Sequence, residues 1–494
     1  AGTLEPAGDV VSVDEDEQTI ELKLGPSRSP IATGTSLIPS GPVGDKDLRA
    51  AVYRFAEAVR DGDTERYSAV ASILRRDYPS IAGREPRAQV VPDGEDTLTA
   101  MINALVALQG SHLLVQGPPG AGKTYTSSRA IVALLAEGKR IGIASNSHKA
   151  INQLLREVEA LAAANGLRCS GIKKSSREDQ MLGTSGWVQE TLKNDDVSPH
   201  HQLVAGTAWL FARPEHDCAF DYLFVDEAGQ VGLANVVAMG VAARNIVLVG
   251  DQMQLAQPIQ GTHPRGSGVS ALQHLLQDHA TVPPDRGVFL AETRRMHPDL
   301  CGFISAAVYE GRLRSSEDTK VQRLLADSAA DPEAIAPAGL RFVEVNSIGC
   351  TQRSQPEAER LNRTYRALFG QRWRNQHGEV AEIGLDDILV VSPYNMQVEL
   401  LKRTLPAGAR VGTVDKFQGQ QAAVVLVSFV LMILRRDVVS QAIGFFSLEN
   451  GVSMASLVVA AGLPLILEVA FLFDLLVAVV VFGVLIRLHH SRSN

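Results

Sequence analysis

The chain has 494 residues, which allows about three domains at ~150 residues each. Its 47 Lys and Arg against 55 Asp and Glu give a formal net charge of −8, which excludes a protein that coats polyanions over its whole surface. A hydrophobic content of 45% with 21% charged residues excludes disorder for most of the chain. The four cysteines lie far apart in the sequence, so no metal cluster or disulfide scaffold is expected.

The N-terminal part predicts a small module of strands and helices. Residues 10–13 and 19–24 alternate apolar and polar side chains around an acidic turn, which indicates a β-hairpin. Residues 45–60 and 64–78 follow with the pattern of two helices. We expect this β/α accessory module to occupy residues 1–90.

From residue 95 onward, short apolar strands alternate with helices, which is typical of a parallel α/β sheet. The first series of predicted strands covers residues 112–115, 140–144, 222–225 and 245–249. The second series covers residues 341–345, 388–391, 410–412 and 423–428. The polar stretch 169–201 is predicted to be an insertion or a flexible loop. The fold class is therefore α/β, with two similar units in tandem.

A phosphate-binding loop is predicted at residues 117–124, GPPGAGKT, which match G-x-x-x-x-G-K-[ST] between a predicted strand and a predicted helix. Glycines of such a loop let backbone N–H groups close around phosphates, the lysine supplies positive charge, and the Ser/Thr hydroxyl coordinates Mg²⁺. ATP and Mg²⁺ are thus the expected ligands, and a degenerate, empty loop is the alternative. The residues assigned to this site are Gly117, Gly120, Gly122, Lys123 and Thr124.

Two further predicted strands end in polar groups. Asp226 and Glu227 follow one strand, and Gln254 lies just after another. With a phosphate-binding loop upstream, Asp226 is the expected second ligand of Mg²⁺, and Glu227 is expected to orient the attacking water. Gln254 is a candidate sensor of the γ-phosphate, because ligands of such folds bind at the carboxyl edge of the sheet.

The ordered motifs resemble those of superfamily 1 helicases of the 5′-to-3′ branch, most closely the helicase half of bacterial proteins that join a RecB-like nuclease to a helicase. These motifs are GPPGAGKT, VDEAGQ, GDQMQL, RRMHP, SPYNMQ and TVDKFQGQQ. The resemblance covers about residues 10–428. It implies two RecA-like P-loop NTPase domains, at 95–288 and 289–428, with ATP between them and single-stranded nucleic acid across them, DNA in preference to RNA.

The same resemblance implies roles for further residues. Arg295 is expected to reach the γ-phosphate from the second domain. The residues expected to contact nucleic acid, or to couple it to ATP, are Ser145, Asn146, Ser147, His148, Thr207, Tyr394, Gln397, Asp415 and Gln418. A histidine at the surface start of a helix is the alternative for His148.

The sequence also departs from the family pattern. The glutamine that reads adenine, about seventeen residues before the phosphate-binding loop, has no counterpart in the stretch 98–101, so adenine selectivity is in question. The last motif, which carries a second arginine, is missing after residue 428. The second domain is therefore expected to be incomplete, and ATP hydrolysis to be impaired.

The last 66 residues, 429–494, predict a transmembrane hairpin. Runs 438–461 and 463–486 are each 24 residues long, against about 20 needed to cross a bilayer. A buried soluble helix pair is the alternative. Basic residues on both sides of the hairpin place both ends in the cytoplasm. The first residue is Ala, so we expect the sequence to begin inside a longer protein.

Residues 431–490 resemble the end of the small membrane subunit of hydrogenase-4 and formate hydrogenlyase. That resemblance implies intramembrane carboxylates of a proton path at Glu449 and Glu468. A fusion, truncation or assembly join near 428–431 is expected.

The main prediction is a truncated, ATP-hydrolysing nucleic-acid helicase of superfamily 1. A subunit of a proton-translocating membrane assembly and a nucleotide-binding regulator remain as alternatives. The helicase part is expected in the cytoplasm, attached to a membrane through the hairpin.

Overall fold

The structure is a computed structural model. It describes residues 8–14, 19–25, 31, 44–63, 65–183, 186–254, 267–325, 331, 333–347, 350–417 and 420–428. These residues form two compact units, which divide between Asp45 and Lys46. The predicted hairpin helices, with Glu449 and Glu468, and also Gln418, lie outside the described residues. Among the helices that are described, none has both the length and the apolar character needed to span a bilayer.

The first unit contains the predicted β-hairpin. Strands β1 (Asp9–Asp14) and β2 (Thr19–Lys23) pair antiparallel, and a register shift falls between Val10 and Ser12. The β-hairpin predicted from the alternating sequence is therefore confirmed. Two such strands can pair because the residues that form them are close together in the sequence.

The second unit is built on an eight-stranded sheet in the spatial order β10-β3-β9-β8-β4-β7-β5-β6, and all of its strand pairs are parallel. Its strands are β3 (His112–Gln116), β4 (Ile141–Ala144), β5 (Gly171–Lys174), β6 (Val188–Thr191), β7 (Leu203–Gly206), β8 (Phe220–Val225), β9 (Ala243–Gly250) and β10 (Gly287–Phe289). The four strands predicted for this sheet are confirmed. The stretch 169–201, predicted as an insertion or loop, instead supplies β5 and β6, because its short strands add to the edge beyond β7.

Helices cover both faces of this sheet. They are α1 (Lys46–Arg60), α2 (Ser68–Arg75), α3 (Thr97–Val106), α4 (Lys123–Ala136), α5 (His148–Ala164), α6 (Ala208–Phe211), α7 (Leu233–Gly240) and α8 (Ala271–Leu276). Successive residues of a strand point to opposite faces, so Leu223 enters one apolar core and Phe224 the other. Helices α1 and α2 pack on the first of these cores through Leu48, Tyr67 and Ile73.

The chain then leaves β10 and forms smaller elements. A short parallel pair joins β11 (Glu292–Thr293) and β12 (Arg314–Ser315) on either side of α9 (Pro298–Val308). An antiparallel sheet has the order β13-β14-β15, and a second parallel sheet has the order β17-β16-β18. The remaining elements are β13 (Arg323–Leu325), α10 (Gln355–Leu368), β14 (Arg372–Arg374), β15 (Val380–Glu382), β16 (Ile388–Val391), α11 (Asn395–Thr404), β17 (Arg410–Gly412) and β18 (Val424–Val427).

One strand predicted for the second sheet is wrong. Residues 341–345 are predicted to form a short apolar strand, but they have no regular secondary structure. Phe342 is 83% exposed and none of the five residues is buried, so their apolar side chains do not enter a core. The other three strands predicted for this sheet are confirmed as β16, β17 and β18.

Candidate nucleotide and nucleic-acid site

The phosphate-binding loop connects β3 to α4 in the way the motif requires. Gly120 and Gly122 have φ angles of 77° and 82°, a region that glycine adopts without a steric penalty. A Cβ on Gly117 would lie 2.4 Å from Cγ of Lys123, so only glycine lets the lysine side chain fold back over the loop. The Lys123 Nζ donates to the carbonyl of Gly117 at 2.6 Å, and Thr124 follows it in the first turn of α4.

The acidic turn follows β8. Glu227 has φ 55° and ψ 37°, a left-handed conformation that costs a residue with a side chain about 1 kcal/mol or more. Its backbone N–H donates to Oδ1 of Asp226 at 2.9 Å. This bond and the following short turn at Ala228–Gln230 hold the two carboxyl groups beside each other at the end of the strand.

A third carboxyl group meets this turn from β9. Asp251 is 3% exposed, and its Oδ2 accepts a hydrogen bond from the hydroxyl of Tyr309 at 2.7 Å. The two strand ends touch, because a Cβ on Gly250 would lie 2.8 Å from the backbone nitrogens of Ala228 and Gly229. Gly117 N–H also donates to the Gly250 carbonyl at 2.9 Å, which ties this corner to the phosphate-binding loop.

The segment after β10 closes over the same loop. Buried Thr293 donates through its hydroxyl to the carbonyl of Pro119 at 2.9 Å, and Arg294 N–H donates to the carbonyl of Gly120 at 3.0 Å. A Cβ on Gly120 would lie 2.5 Å from Cβ of Arg295. Arg295 is therefore brought to the phosphate-binding loop, as its predicted role requires.

The charges of this site interact. Burial lowers the pKa of the Lys123 ammonium, and the carboxylates of Asp251, Asp226 and Glu227 oppose that effect. Burial raises the pKa of each of these three carboxyl groups, and Lys123 acts in the opposite direction on each. The positive charge of Arg295 also lowers the pKa of Lys123, so two cations face three acids in a partly desolvated corner. Such an excess of carboxylates suits a divalent cation next to a phosphate.

Gln254 lies at the end of the described part of its loop. Its backbone N–H donates to the carbonyl of Asp251 at 3.3 Å, and it is partly exposed. This places it within one turn of the acidic corner.

Several residues predicted to contact nucleic acid lie at the same edge of the sheet, on the next two strands. The stretch 145–148 follows β4, and Thr207 follows β7, whose last residue pairs with Ala144. Asn146 Nδ2 donates to the carbonyl of Gln230 at 3.2 Å, so this stretch is bonded to the acidic turn. Ser147 caps α5 by accepting from Ala150 N–H at 3.3 Å.

Burial separates these residues into two kinds. Ser145 is 2% exposed, and its hydroxyl accepts from Ser147 N–H at 3.3 Å, so it supports the loop from inside. Asn146, Ser147, His148 and Thr207 are partly exposed.

The second parallel sheet carries the remaining predicted contacts. Tyr394 is partly exposed at the start of α11, and Asp415 lies in a short turn after β17. Gln397 is fully buried; it accepts from Ser354 N–H at 2.7 Å and donates to Ser428 Oγ at 3.0 Å. An amide engaged in this way is not accessible to a nucleic-acid strand, so we do not include Gln397 in the proposed interface.

The structure adds residues that the sequence pattern did not single out. Gln116, at the end of β3, is fully buried and donates to Asp251 Oδ1 at 3.4 Å and to the Ala280 carbonyl at 3.0 Å. Asp251 directly follows a strand, as Asp226 does, and this position in the sequence could have identified it as a residue of the site. Thr293 and Tyr309 are distant in sequence from the motifs they contact, and no local pattern marks them.

Comparisons with known proteins agree with this arrangement. Two families described as an AAA domain match residues 98–274 and 268–455. The chain is 27% identical over 372 residues to the DNA replication ATP-dependent helicase/nuclease JHS1 of Arabidopsis thaliana, covering 72% of this chain and 27% of that protein. It is 25% identical over 392 residues to the DNA replication ATP-dependent helicase/nuclease DNA2 of Homo sapiens, covering 70% of this chain and 36% of that protein.

Among solved structures, Arterivirus nonstructural protein 10 (helicase) with DNA superposes at a TM-score of 0.34 and 12% identity, covering 65% of this chain and 60% of that one. Compared with several of its curated helicase/nuclease relatives, the chain spans about a quarter to a third of their length.

The second AAA match runs to residue 455, across the predicted join at 428–431. Over 431–455 the AAA-domain family therefore covers part of the stretch that resembles a hydrogenase subunit, and the membrane resemblance is not supported there. Two AAA-domain families thus match parts of the chain, and about 70% of the chain is similar to proteins named as ATP-dependent helicase/nucleases, which supports the prediction of a helicase.

Proposed function

We propose that this chain is the motor part of an ATP-dependent helicase or translocase that moves on single-stranded DNA. The observation that carries the proposal is the meeting of four segments at one corner: the phosphate-binding loop, the acidic turn, Asp251 and the backbone of Arg295. The names of the relatives support DNA as the substrate. Two RecA-like domains, at 95–288 and 289–428, are part of this proposal.

The residues of this corner fit Mg·ATP. Lys123 lies beside the loop that would hold the phosphates, and the Thr124 hydroxyl and Asp226 carboxylate supply the oxygen ligands that Mg²⁺ prefers. When bound, Mg²⁺ neutralises charge on the β- and γ-phosphate oxygens. Glu227 is the group proposed to orient water, with Gln254 and Arg295 on the γ-phosphate side.

The proposed nucleic-acid interface comprises Asn146, Ser147, His148, Thr207, Tyr394, Asp415 and Gln418. Asn146 gives a physical route from this interface to the nucleotide, because its side chain bonds to the turn that holds Asp226 and Glu227. A strand that shifts Asn146 would thereby shift the acidic turn.

The test is steady-state ATP hydrolysis by the full chain with single-stranded DNA, single-stranded RNA or neither. We expect DNA to stimulate hydrolysis and Lys123→Ala to abolish Mg·ATP binding, because that substitution removes the charge at the phosphates. Lys139→Ala, just beyond the other end of α4, is the matched control and should bind ATP normally. Tight ATP binding without turnover under any condition would instead identify a nucleotide-binding regulator.

A further inference from the structure

The residue in question is Tyr309, which lies directly after α9 and outside every motif named above. It is 2% exposed, and its ring packs against Phe289 of β10 at a centroid separation of 6.1 Å. Its hydroxyl donates to the buried Asp251 carboxylate at 2.7 Å. A hydrogen bond from a hydroxyl to a carboxylate is charge-assisted and stronger than a neutral one.

This bond fixes one end of α9 at the nucleotide site, and the other end is fixed independently. Arg295 and Met296 come just before α9, and their neighbours Thr293 and Arg294 bond to the phosphate-binding loop at 2.9 and 3.0 Å. The Met296 carbonyl accepts from Ser315 Oγ at 2.7 Å, which ties this segment to β12. The helix and its preceding turn are thus held at both ends against the same corner.

The surroundings of Tyr309 reinforce that connection. Arg312 Nη1 donates to Thr281 Oγ1 and to the Val282 carbonyl, both at 2.8 Å. Val282 N–H donates in turn to Gln116 Oε1 at 2.7 Å, and Gln116 is the residue directly before the phosphate-binding loop. A displacement at the end of α9 is therefore transmitted to β3 as well as to β9.

We infer that Tyr309 is a positioning residue for ATP hydrolysis. Through its hydrogen bond to Asp251 it holds α9 in place, and α9 in turn holds Arg295 at the position where it faces the nucleotide. This inference rests on the proposed function. It assigns no contact between Tyr309 and the nucleotide, because the hydroxyl acts through Asp251 and the helix.

The test compares Tyr309→Phe with Tyr67→Phe in the full chain. Tyr67 is an equally buried tyrosine whose hydroxyl donates to Asp217 at 2.9 Å, on α2's side of the sheet and away from the nucleotide corner. Each substitution removes one hydroxyl that serves a carboxylate, so a general loss of stability should be similar in both. We expect Tyr309→Phe to lower kcat for ATP about tenfold with KM within about twofold, and Tyr67→Phe to change neither.

A second measurement does not depend on turnover. Amide hydrogen exchange of residues 298–312 is followed with and without saturating Mg²⁺ and the non-hydrolysable analogue AMP-PNP. We expect the analogue to slow exchange at least about threefold in the wild-type chain and in Tyr67→Phe, and to leave it unchanged in Tyr309→Phe.

The possible failures are distinguishable. Absence of turnover in the wild-type chain would overturn the proposed hydrolysis, and the exchange measurement would still test the inference. No slowing of exchange in the wild-type chain, or the same slowing in Tyr309→Phe, would overturn the role of Tyr309 even if kcat fell.

Discussion

Arg294 and Arg295 are adjacent, but the structure places them differently with respect to the nucleotide corner. The Cβ of Arg295 faces Gly120 of the phosphate-binding loop, whereas the Arg294 guanidinium pairs with Glu292 at 3.7 Å, and both partners are exposed. An arginine that reaches the γ-phosphate stabilises charge as the phosphoryl group is transferred. An exposed ion pair contributes little to stability or activity.

We therefore expect Arg295→Ala to lower the single-turnover rate of ATP hydrolysis by ~10²- to 10³-fold, as loss of one preorganised donor does. ATP affinity should change by only a few fold. Arg294→Ala is the matched control and should behave as the wild-type chain in both measurements. Equal losses in the two variants would contradict the assignment of Arg295 and point to a general requirement for the segment.

At the scale of an element, strand β3 has one end at the nucleotide site and the other in the buried interior, where a histidine affects the stability of the fold. Gln116 at its carboxyl end bonds to Asp251, and His112 at its start is buried with Nδ1 at 2.8 Å from Ser72 Oγ of α2. Burial lowers the pKa of His112 to about 4, from 6.5. The folded chain therefore holds this imidazole neutral at pH values where the unfolded chain protonates it.

The contribution of neutral His112 to the free energy of unfolding is therefore fully present above pH 6.5. It is lost as the pH falls toward 4, because the unfolded state binds a proton that the folded state does not. By pH 5 the loss amounts to about 2 kcal/mol. We expect thermal unfolding temperatures to fall more steeply between pH 7 and pH 5 for the wild-type chain than for His112→Asn. His377→Asn, which replaces an exposed histidine, should retain the wild-type slope. A slope that His112→Asn leaves unaltered would show that another group titrates.

At the scale of the whole molecule, Ser428 is the last described residue and is bonded back to the second parallel sheet and to α10. This residue is buried, its N–H donates to the Val391 carbonyl at 2.9 Å, and its hydroxyl donates to Glu357 at 2.6 Å. The AAA match continues from there to residue 455, a stretch whose sequence contains two arginines, Arg435 and Arg436. Because the last motif of the helicase family that the sequence resembles is predicted to be missing, neither arginine is expected to serve as the second arginine of that motif.

We therefore expect the full chain to turn over ATP well below the ~10 per second of a typical enzyme, even with excess single-stranded DNA, and not to unwind duplexes. Robust turnover would show that another residue replaces the missing arginine. In that case the double variant Arg435→Ala/Arg436→Ala tests whether this pair supplies it, and an unchanged rate in the double variant would direct the search elsewhere.

The sequence by itself determined the local features of this protein. The phosphate-binding loop, the acidic turn and most strands follow from glycine spacing, apolar runs and the polar residues after them, which depend on neighbours in the chain. The same reasoning predicted a strand at 341–345 that does not form, and an insertion or flexible loop at 169–201, where the structure has two strands. A strand forms only where a neighbouring strand can pair with it, and which strands are neighbours depends on the fold of the whole sheet.

The tertiary structure alone decided which distant residues share the site. Tyr309 is 58 residues from Asp251 in sequence, and Gln116 is 135 residues from it, yet both donate to the same carboxylate. It also decided that Gln397 is buried while Tyr394, in the same motif, is partly exposed. Burial and long-range hydrogen bonds depend on how strands and helices pack, and no local pattern in the sequence encodes that packing.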